Sequence, residues 1–287
     1  MSEKSKASGI VWLASYPKSG NTWTRTFLHN LLKTMRGEGG DGQDINAMNE
    51  FTAWEIALSR FHEVLGRDPR EVDRAEIAKA RPEVQRRIAD EAEGVAFIKT
   101  HHALVLDRGV PVINFAVTSG AVYIVRNPLD VAISYAHHMG ADIDTAIAAM
   151  AETDMETRVT DKSVYEVFGS WSQHVMSWAG KPHRAIYVMR YENMLAEPEK
   201  SFGGLARHLL LDASRDQLAQ AIDLSRFDRL KEQEEKEGFR ERPEKAERFF
   251  REGRAGQWRE RLTGRQIDRI VADHKPVMEK FGYWPLR

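Results

Sequence analysis

Four short apolar runs place the strongest constraint on the fold of this chain. Each run lacks strict alternation and is bounded by polar or turn residues, so each is expected to be a strand covered on both faces. Helical patterns separate the runs, and strands that alternate with helices favour an α/β fold with a central parallel sheet flanked by helices. The four runs are Ile10–Ser15, Val95–Lys99, Ala121–Val125 and Ala185–Met189.

The stretches between the runs predict where the helices lie. After the first run, Trp23 and Phe27 fall on one helical face and Gly37 is a plausible end. After the third run, Pro128 suits the first turn of a helix. We expect one domain over residues 1–287, with residues 35–94 as an insertion or lid that is helical around 51–65 and 74–93. A chain of this length buries about 75% of its unfolded surface, which is enough for one large core.

Composition excludes several classes of function. The chain has no cysteine, which rules out disulfides, Cys-ligated zinc and thiol catalysis. Its 42 basic and 43 acidic residues leave a net charge of −1, so neither nucleic acid nor a membrane is an expected partner. The first nine residues are polar and the apolar run that follows is too short for a signal or a membrane span, so we expect a cytoplasmic protein.

The strongest functional signal is the sequence YPKSGNTW at Tyr16–Trp23, between the first strand and the first helix. Free backbone N–H groups and the positive end of the helix favour an anion there. Lys18 adds a charge, Gly20 permits close approach, and polar donors come from Ser19, Asn21 and Thr22. In nucleotide triphosphatases the lysine follows the last glycine, and here it precedes it.

Basic residues also follow two other strands. Arg126 closes the third run, and Ser134 lies about two turns into the next helix, so the pair is predicted to share a second phosphate. Lys99 and His101 stand at the end of the second run, where a histidine can accept a hydroxyl proton near neutral pH. Cations and no acidic magnesium ligand at these ends predict an anion site that requires no metal.

Together these segments resemble the cytosolic-type sulfotransferases, which use 3′-phosphoadenosine 5′-phosphosulfate (PAPS). The phosphosulfate loop of that family is similar to Tyr16–Trp23, its KTH segment to Lys99–His101, and its Arg-to-Ser segment to Arg126–Ser134. Its Tyr-Glu pair is similar to Tyr191-Glu192 and its terminal RKGxxGxW pattern to Arg251–Trp258, although Glu252 replaces the lysine and Arg254 is the candidate to compensate. The resemblance runs in order from Ile10 to Trp284.

The resemblance implies that a sulfuryl group moves from PAPS to a hydroxyl or amine of a small acceptor, leaving adenosine 3′,5′-bisphosphate (PAP). It implies that His101 is the general base and that Lys18 neutralises the charge on the departing phosphate oxygen. It implies that Lys99 stabilises the transferring group or the acceptor oxygen. It also implies that the cofactor contacts are Lys18, Ser19, Gly20, Asn21, Thr22, Trp23, Arg126, Ser134, Tyr191, Phe227, Arg251, Glu252 and Gly253, with Trp23 and Phe227 around the adenine.

Two other functions remain open at this point. A small-molecule kinase or other P-loop phosphotransferase would share the strand–loop–helix unit but would need magnesium and an acidic ligand for it. A catalytically silent nucleotide-binding protein would be indicated by loss of the lysine or the base, yet Lys18 and His101 are both present. The acceptor is open among phenols, alcohols, amines, glycans and peptides, and the oligomeric state is open as well.

Overall fold

The fold is known from a computed structural model, which describes residues 9–40, 42, 44–242 and 248–285. Five parallel strands form the main sheet, in the order β2-β3-β1-β6-β7, and a two-stranded hairpin lies apart from it. The strands are β1 (Gly9–Ser15), β2 (Thr52–Ala53), β3 (Val95–Thr100), β4 (Leu106–Asp107), β5 (Val110–Pro111), β6 (Thr118–Val125) and β7 (Ile186–Arg190).

Helices connect the strands and cover the sheet. They are α1 (Asn21–Met35), α2 (Met48–Phe51), α3 (Leu58–Leu65), α4 (Arg74–Glu91), α5 (Pro128–Met139), α6 (Ile143–Ala151), α7 (Trp171–Ala179), α8 (Tyr191–Ala196), α9 (Pro198–His208), α10 (Arg215–Leu224), α11 (Phe227–Glu237), α12 (Trp258–Arg261) and α13 (Gly264–Lys280). Two predicted helix limits agree with the structure. Gly37, with φ 79°, follows the end of α1, and α5 begins at Pro128. In the described parts of the chain, none of the helices combines the length and the apolar character needed to cross a membrane.

The sheet confirms the predicted α/β class. β1 lies at its centre and pairs in parallel with β3 on one side and β6 on the other, with Leu13 opposite Lys99 and Ala14 opposite Tyr123. Side chains alternate along a strand, so Trp12 enters one hydrophobic cluster and Leu13 the other. Since the strands are parallel, β1, β3, β6 and β7 all end at the same edge of the sheet.

Burial is less uniform than the apolar runs predict. Every residue of β1 is buried, whereas Val95 at the start of β3 is 44% exposed and Val188 in β7 is 38% exposed. β7 is an edge strand, and β3 has only the two residues of β2 beyond it. The outer strands of a sheet have fewer covering elements than the centre, so complete burial was wrong for these two runs.

The segment between β1 and β3 is only partly helical, as predicted. α4 spans nearly the whole of the predicted helix at 74–93, and its side chains Ile77, Val84 and Ile88 enter the core. The helix predicted over 51–65 is wrong in its first half, because Thr52–Ala53 pair in parallel with Phe97–Ile98 and α3 begins at Leu58. The β-branched Thr52 is suited to this strand, which covers the outer side of β3.

Candidate active site

A cavity of about 1340 Å³ opens at the carboxyl edge of the sheet. Of the fifteen side chains and glycines predicted for the site, only Ser19 does not line it. The structure therefore brings together residues that lie more than 200 positions apart in the chain. Those that line the cavity are Lys18, Gly20, Asn21, Thr22, Trp23, Lys99, His101, Arg126, Ser134, Tyr191, Phe227, Arg251, Glu252 and Gly253.

The loop after β1 is shaped to present its backbone to an anion. Gly20 has φ 110°, and a Cβ atom there would lie 2.8 Å from Cδ2 of Tyr191. A side chain at this position would meet both strain and a ring, so glycine is required. The Nδ2 atom of Asn21 donates to the carbonyl oxygen of Leu13 at 2.7 Å, which fixes the first residue of α1 against the strand. The start of α1 consequently faces the cavity.

Two features of the loop after β1 are those of a ligand site. Some of its buried polar atoms have no hydrogen-bond partner among the described residues, and the pKa of its lysine is lowered. The hydroxyl of Ser19 and the indole N–H of Trp23 are buried and have no hydrogen-bond partner among the residues described. Burial, together with Lys99, Arg126 and Arg251, lowers the pKa of Lys18 to about 7. Its Nζ atom lies 4.0 Å from the ring centroid of Phe249. An anion in the loop would satisfy the donors and restore the lysine charge.

Arg126 joins three parts of the site. Its guanidinium donates to the carbonyl oxygens of Lys18 at 3.0 Å and Arg254 at 3.3 Å, and lies 4.2 Å from the ring centroid of Tyr191. Its Nε atom is buried without a partner within the described residues. The sequence predicts that Arg126 binds a phosphate. In the structure Arg126 also connects the loop after β1 to the C-terminal segment.

His101 is held in one orientation and one tautomer. Its Nδ1 atom lies 2.7 Å from the carbonyl oxygen of Ser15, which can only accept, so Nδ1 carries a proton. Burial and the charge of Lys99 hold the pKa of His101 well below its usual range. The ring is thus neutral at neutral pH, and its Nε2 atom has no hydrogen-bond partner in the described part of the chain. A neutral imidazole with a free Nε2 can accept a proton.

The neighbouring histidine has a structural role. His102 is fully buried, its Nδ1 accepts the backbone N–H of Val167 at 2.9 Å, and its Nε2 lies 3.4 Å from Glu55.

His137 and His138, which the sequence leaves unassigned, both line the cavity on α5. Among the residues that the structure describes, no group of three or more His, Cys, Asp or Glu side chains is arranged to hold a metal ion.

An acidic residue that the sequence analysis missed lies among the cations. Glu241 receives two hydrogen bonds from the buried guanidinium of Arg25, at 2.8 and 2.7 Å, and lies 3.4 Å from Nζ of Lys99. Lys99 and Arg25 hold the pKa of Glu241 well below its usual range, against the effect of burial. Arg25 and Glu241 both line the cavity, and they are 216 residues apart, so no local sequence signal indicates the pair.

The C-terminal segment is attached to the site by one carboxylate. Asp130 on α5 is buried and accepts the backbone N–H groups of Gly256 at 2.7 Å and Trp258 at 3.1 Å. This clamp brings Arg251 and Gly253 to the cavity. Glu252 also lines the cavity.

Arg254 does not take the place of the missing lysine in this arrangement. It pairs with Glu252 at 2.8 Å and with Glu260 at 2.7 Å, and it does not line the cavity. The charge of Glu252 is thus balanced outside the cavity by Arg254, with Arg261 at 3.4 Å as a second partner. The positive charge that a lysine would bring to position 252 is therefore not supplied by Arg254.

Aromatic rings occupy the end of the cavity nearest α1 and α11. The ring of Trp23 makes edge contacts with Tyr191 and Phe202, with centroids 5.9 and 5.4 Å apart. The ring of Phe227 makes an edge contact with Phe250 at 6.0 Å. Trp23 and Phe227 both line the cavity, and aromatic rings of this kind can stack on a planar group.

A second wall of the cavity lies outside the fifteen predicted site residues. It is formed by residues from β2 and its following loop and from the chain between α6 and α7. This wall mixes apolar and charged side chains, and its Phe168 ring makes an edge contact with the ring of His101, with centroids 6.3 Å apart. Its members are Thr52, Ala53, Trp54, Ile56, Thr157, Arg158, Thr160, Lys162, Ser163, Glu166 and Phe168.

The sequence of this chain is similar to those of known sulfotransferases. The sequence model described as "Sulfotransferase domain" matches residues 9–282. Sulfotransferase 1B1 of the dog, Canis lupus familiaris, is 23% identical over 278 residues, which cover 93% of this chain and 83% of that protein.

Solved structures show the same fold. Retinol dehydratase, in complex with androsterone and the inactive cofactor PAP, has a TM-score of 0.66 at 19% identity, covering 94% of this chain and 80% of that one. Mouse sulfotransferase SULT7A1, complexed with PAP, has a TM-score of 0.59 at 19% identity, covering 92% and 84%.

Proposed function

This chain belongs to the sulfotransferase domain family, and we propose that it transfers a sulfuryl group from PAPS to a hydroxyl or amine of a small acceptor. The observation that carries the proposal is the free Nε2 atom of His101, which shares one cavity with Lys18, Lys99 and the phosphate loop. We further propose that the chain is one catalytic domain, and that the insertion at about 35–94 borders the acceptor through β2 and the loop after it.

The residues of the cavity fit the cofactor. Lys18 and the backbone N–H groups at the start of α1 suit the 5′-phosphosulfate, since this part of the chain lines the cavity and a helix start favours an anion. Arg126, Ser134 and Arg251 suit the 3′-phosphate, and Trp23 and Phe227 suit the adenine. Glu252, Gly253 and Tyr191 complete this end of the cavity.

When bound, PAPS supplies the sulfuryl group and leaves as PAP. His101 removes the proton from the acceptor hydroxyl as the new oxygen–sulfur bond forms and the bond between sulfur and the 5′-phosphate oxygen breaks. Lys18 stabilises the charge that develops on the departing phosphate oxygen, and Lys99 stabilises the transferring group. The hydrogen bond from Nδ1 of His101 to the carbonyl oxygen of Ser15 favours the tautomer in which Nε2 is unprotonated.

The test is transfer of label from ³⁵S-PAPS across a panel of phenols, alcohols, amines and glycans. Titration calorimetry with PAP in the presence of EDTA is run beside it, and titration with ATP and magnesium is the comparison. We expect PAP to bind without divalent metal and at least one acceptor to become labelled. Binding that requires magnesium and prefers ATP would replace this proposal with a P-loop phosphotransferase.

The acceptor is a small molecule in this proposal. The dehydratase structures that share the fold contain androsterone or retinol. In this chain the wall formed by Trp54, Ile56 and Phe168 offers apolar area to an acceptor next to His101.

A further inference from the structure

Glu166 is an unpaired carboxylate in the acceptor wall of the cavity. Its Oε1 atom accepts the backbone N–H of His101 at 3.0 Å, so the carboxylate lies directly beside the proposed base. Its own backbone N–H donates to Oγ1 of Thr157 at 2.7 Å. Phe168, two residues further on, lines the same wall. Glu166 is therefore fixed in the cavity by its neighbours on both sides.

The other acids of the cavity are neutralised, and Glu166 is not. Glu241 pairs with Arg25 and Lys99, and Glu252 pairs with Arg254 and Arg261. No Lys, Arg or His side chain of the described residues forms an ion pair with Glu166, and Lys99, the charge that acts most strongly on its pKa, is paired with Glu241. Burial raises the pKa of the Glu166 carboxyl by penalising its charged form, in spite of the charges of Lys99 and Arg81 and the hydrogen bond from the His101 N–H. A positive group in the cavity would remove that penalty.

On the basis of the proposed sulfuryl transfer, we propose that Glu166 selects an acceptor that carries a protonated amine in addition to its reacting hydroxyl. The hydroxyl lies at Nε2 of His101, the amine donates to Glu166, and the apolar part between them packs on Phe168 and Trp54. Glu166 determines specificity and takes no part in the proton transfer.

Two other cations of the wall favour the opposite class of acceptor. Arg158 and Lys162 are exposed at the mouth of the cavity and could attract an anionic molecule. Exposed charges act through water and are screened by salt, whereas Glu166 is partly buried at the reaction centre. The observations consequently favour a cationic acceptor, and an anionic one becomes an outcome of the test.

The test compares three phenols that differ only in one charged group. The probes are 4-(2-aminoethyl)phenol, 4-ethylphenol and 4-hydroxyphenylacetate, and the measurement is their dissociation constant from the PAP-saturated protein. We expect the amine to bind at least about tenfold more tightly than the neutral phenol, the range of a charge-assisted hydrogen bond. Equal or tighter binding of the neutral or the anionic probe overturns the inference.

Substitution of the Glu166 carboxylate distinguishes a role in recognising the amine from a purely structural role. Glu166→Gln keeps an acceptor for the His101 N–H but loses the charge, so the amine and the neutral phenol should bind within about threefold of each other. Glu232→Gln is the control, since that exposed acid pairs with Lys236 and does not line the cavity, and it should leave the ratio unchanged. A purely structural role for Glu166 would weaken all three probes alike and would contradict the proposal.

This readout is independent of turnover. If PAP fails to bind, the proposed function fails, and the same three probes are then titrated against the ligand-free protein, where the preference for the amine still decides the role of Glu166. If PAP binds and the amine is not preferred, the sulfotransferase proposal stands and this inference alone is lost.

Discussion

A Cβ atom at Gly253 would lie 2.2 Å from Cγ of Phe227, so the backbone of the C-terminal segment lies directly against this ring. Gly253 also has φ 60°, a conformation that disfavours other residues. The contact limits the positions open to the Phe227 ring, which lines the cavity. A glycine with no chemistry of its own thereby sets the position of an aromatic ring proposed to hold the adenine.

Gly253→Ala should lower the affinity for PAP by about tenfold or more, because the methyl group displaces Phe227 and strains the backbone by about 1–2 kcal/mol. Titration calorimetry measures the affinity. Gly66→Ala is the matched control, since Gly66 has φ 69° and no atom within 4 Å of the new methyl group. An equal loss of PAP affinity in both variants would show that general destabilisation, and not the ring, is responsible.

His101→Ala should retain PAP binding and lose transfer. A general base contributes about 10²–10⁴-fold to the rate and acts only while the new bond forms. The rate of label transfer and the PAP affinity are measured on the same preparation. His102→Ala is the informative comparison, because His102 is buried against Glu55 and its removal should lower the melting temperature. Near-normal turnover in His101→Ala would remove it from the mechanism.

The lowered pKa of Lys18 predicts that the protein takes up protons when PAP binds. Its pKa of about 7 leaves it half neutral at pH 7 in the free protein, and a bound phosphate favours the charged form and raises that pKa. Affinity should therefore fall as the pH rises through 7 and change little well below it. Calorimetry at pH 7.5 in buffers of different ionisation enthalpy counts the protons.

The control for this prediction is Lys18→Arg, which stays charged throughout the range. It should bind PAP with a flatter pH dependence than the wild type. Unchanged proton uptake in the arginine variant would assign the uptake to another group.

Glu241→Gln should bind PAP more tightly and fold less stably. The substitution frees Lys99 and removes a negative charge from the anion site, so affinity should rise several-fold. It also removes the partner of Arg25, which is 1% exposed, and breaking such a pair costs about 3 kcal/mol. Calorimetry and chemical denaturation measure the two effects.

Glu232→Gln is the control for Glu241→Gln. Glu232 pairs with Lys236 on the exposed face of α11, and its loss should change neither PAP affinity nor stability measurably. Weaker PAP binding in Glu241→Gln would mean that Glu241 supports the site through Arg25 more than it competes with the anion.

The parts of the fold and of the site that could be predicted from the sequence are those with a local sequence pattern. The run from Ile10 to Ser15 has a continuous apolar pattern because β1 is buried on both faces. The loop around Lys18 is recognisable because a strand, a glycine and a helix start occur within a dozen residues. Such signals depend on neighbours in sequence, and they identify the anion side of the cavity.

Contacts between distant residues could not be predicted in this way. Arg25 and Glu241 meet only after folding, and each by itself is an ordinary charged residue in a helix or a loop. Thr52 and Ala53 form a strand because β3 offers them an open edge, although the surrounding sequence has a helical pattern. The same limit applies to Glu166, whose significance arises from its bond to His101 and its lack of a counter-ion.

The clamp formed by Asp130 also determines when the site is completed during protein synthesis. Chains emerge from the ribosome N-terminus first, and the strands β1 to β7 all lie before residue 191. Arg251 and Gly253 reach the cavity only when Gly256 and Trp258 have been made and can dock on Asp130. A nascent chain with a complete sheet therefore lacks the residues proposed to hold the 3′-phosphate, and the nucleotide can stabilise the fold fully only after Trp258 has been made.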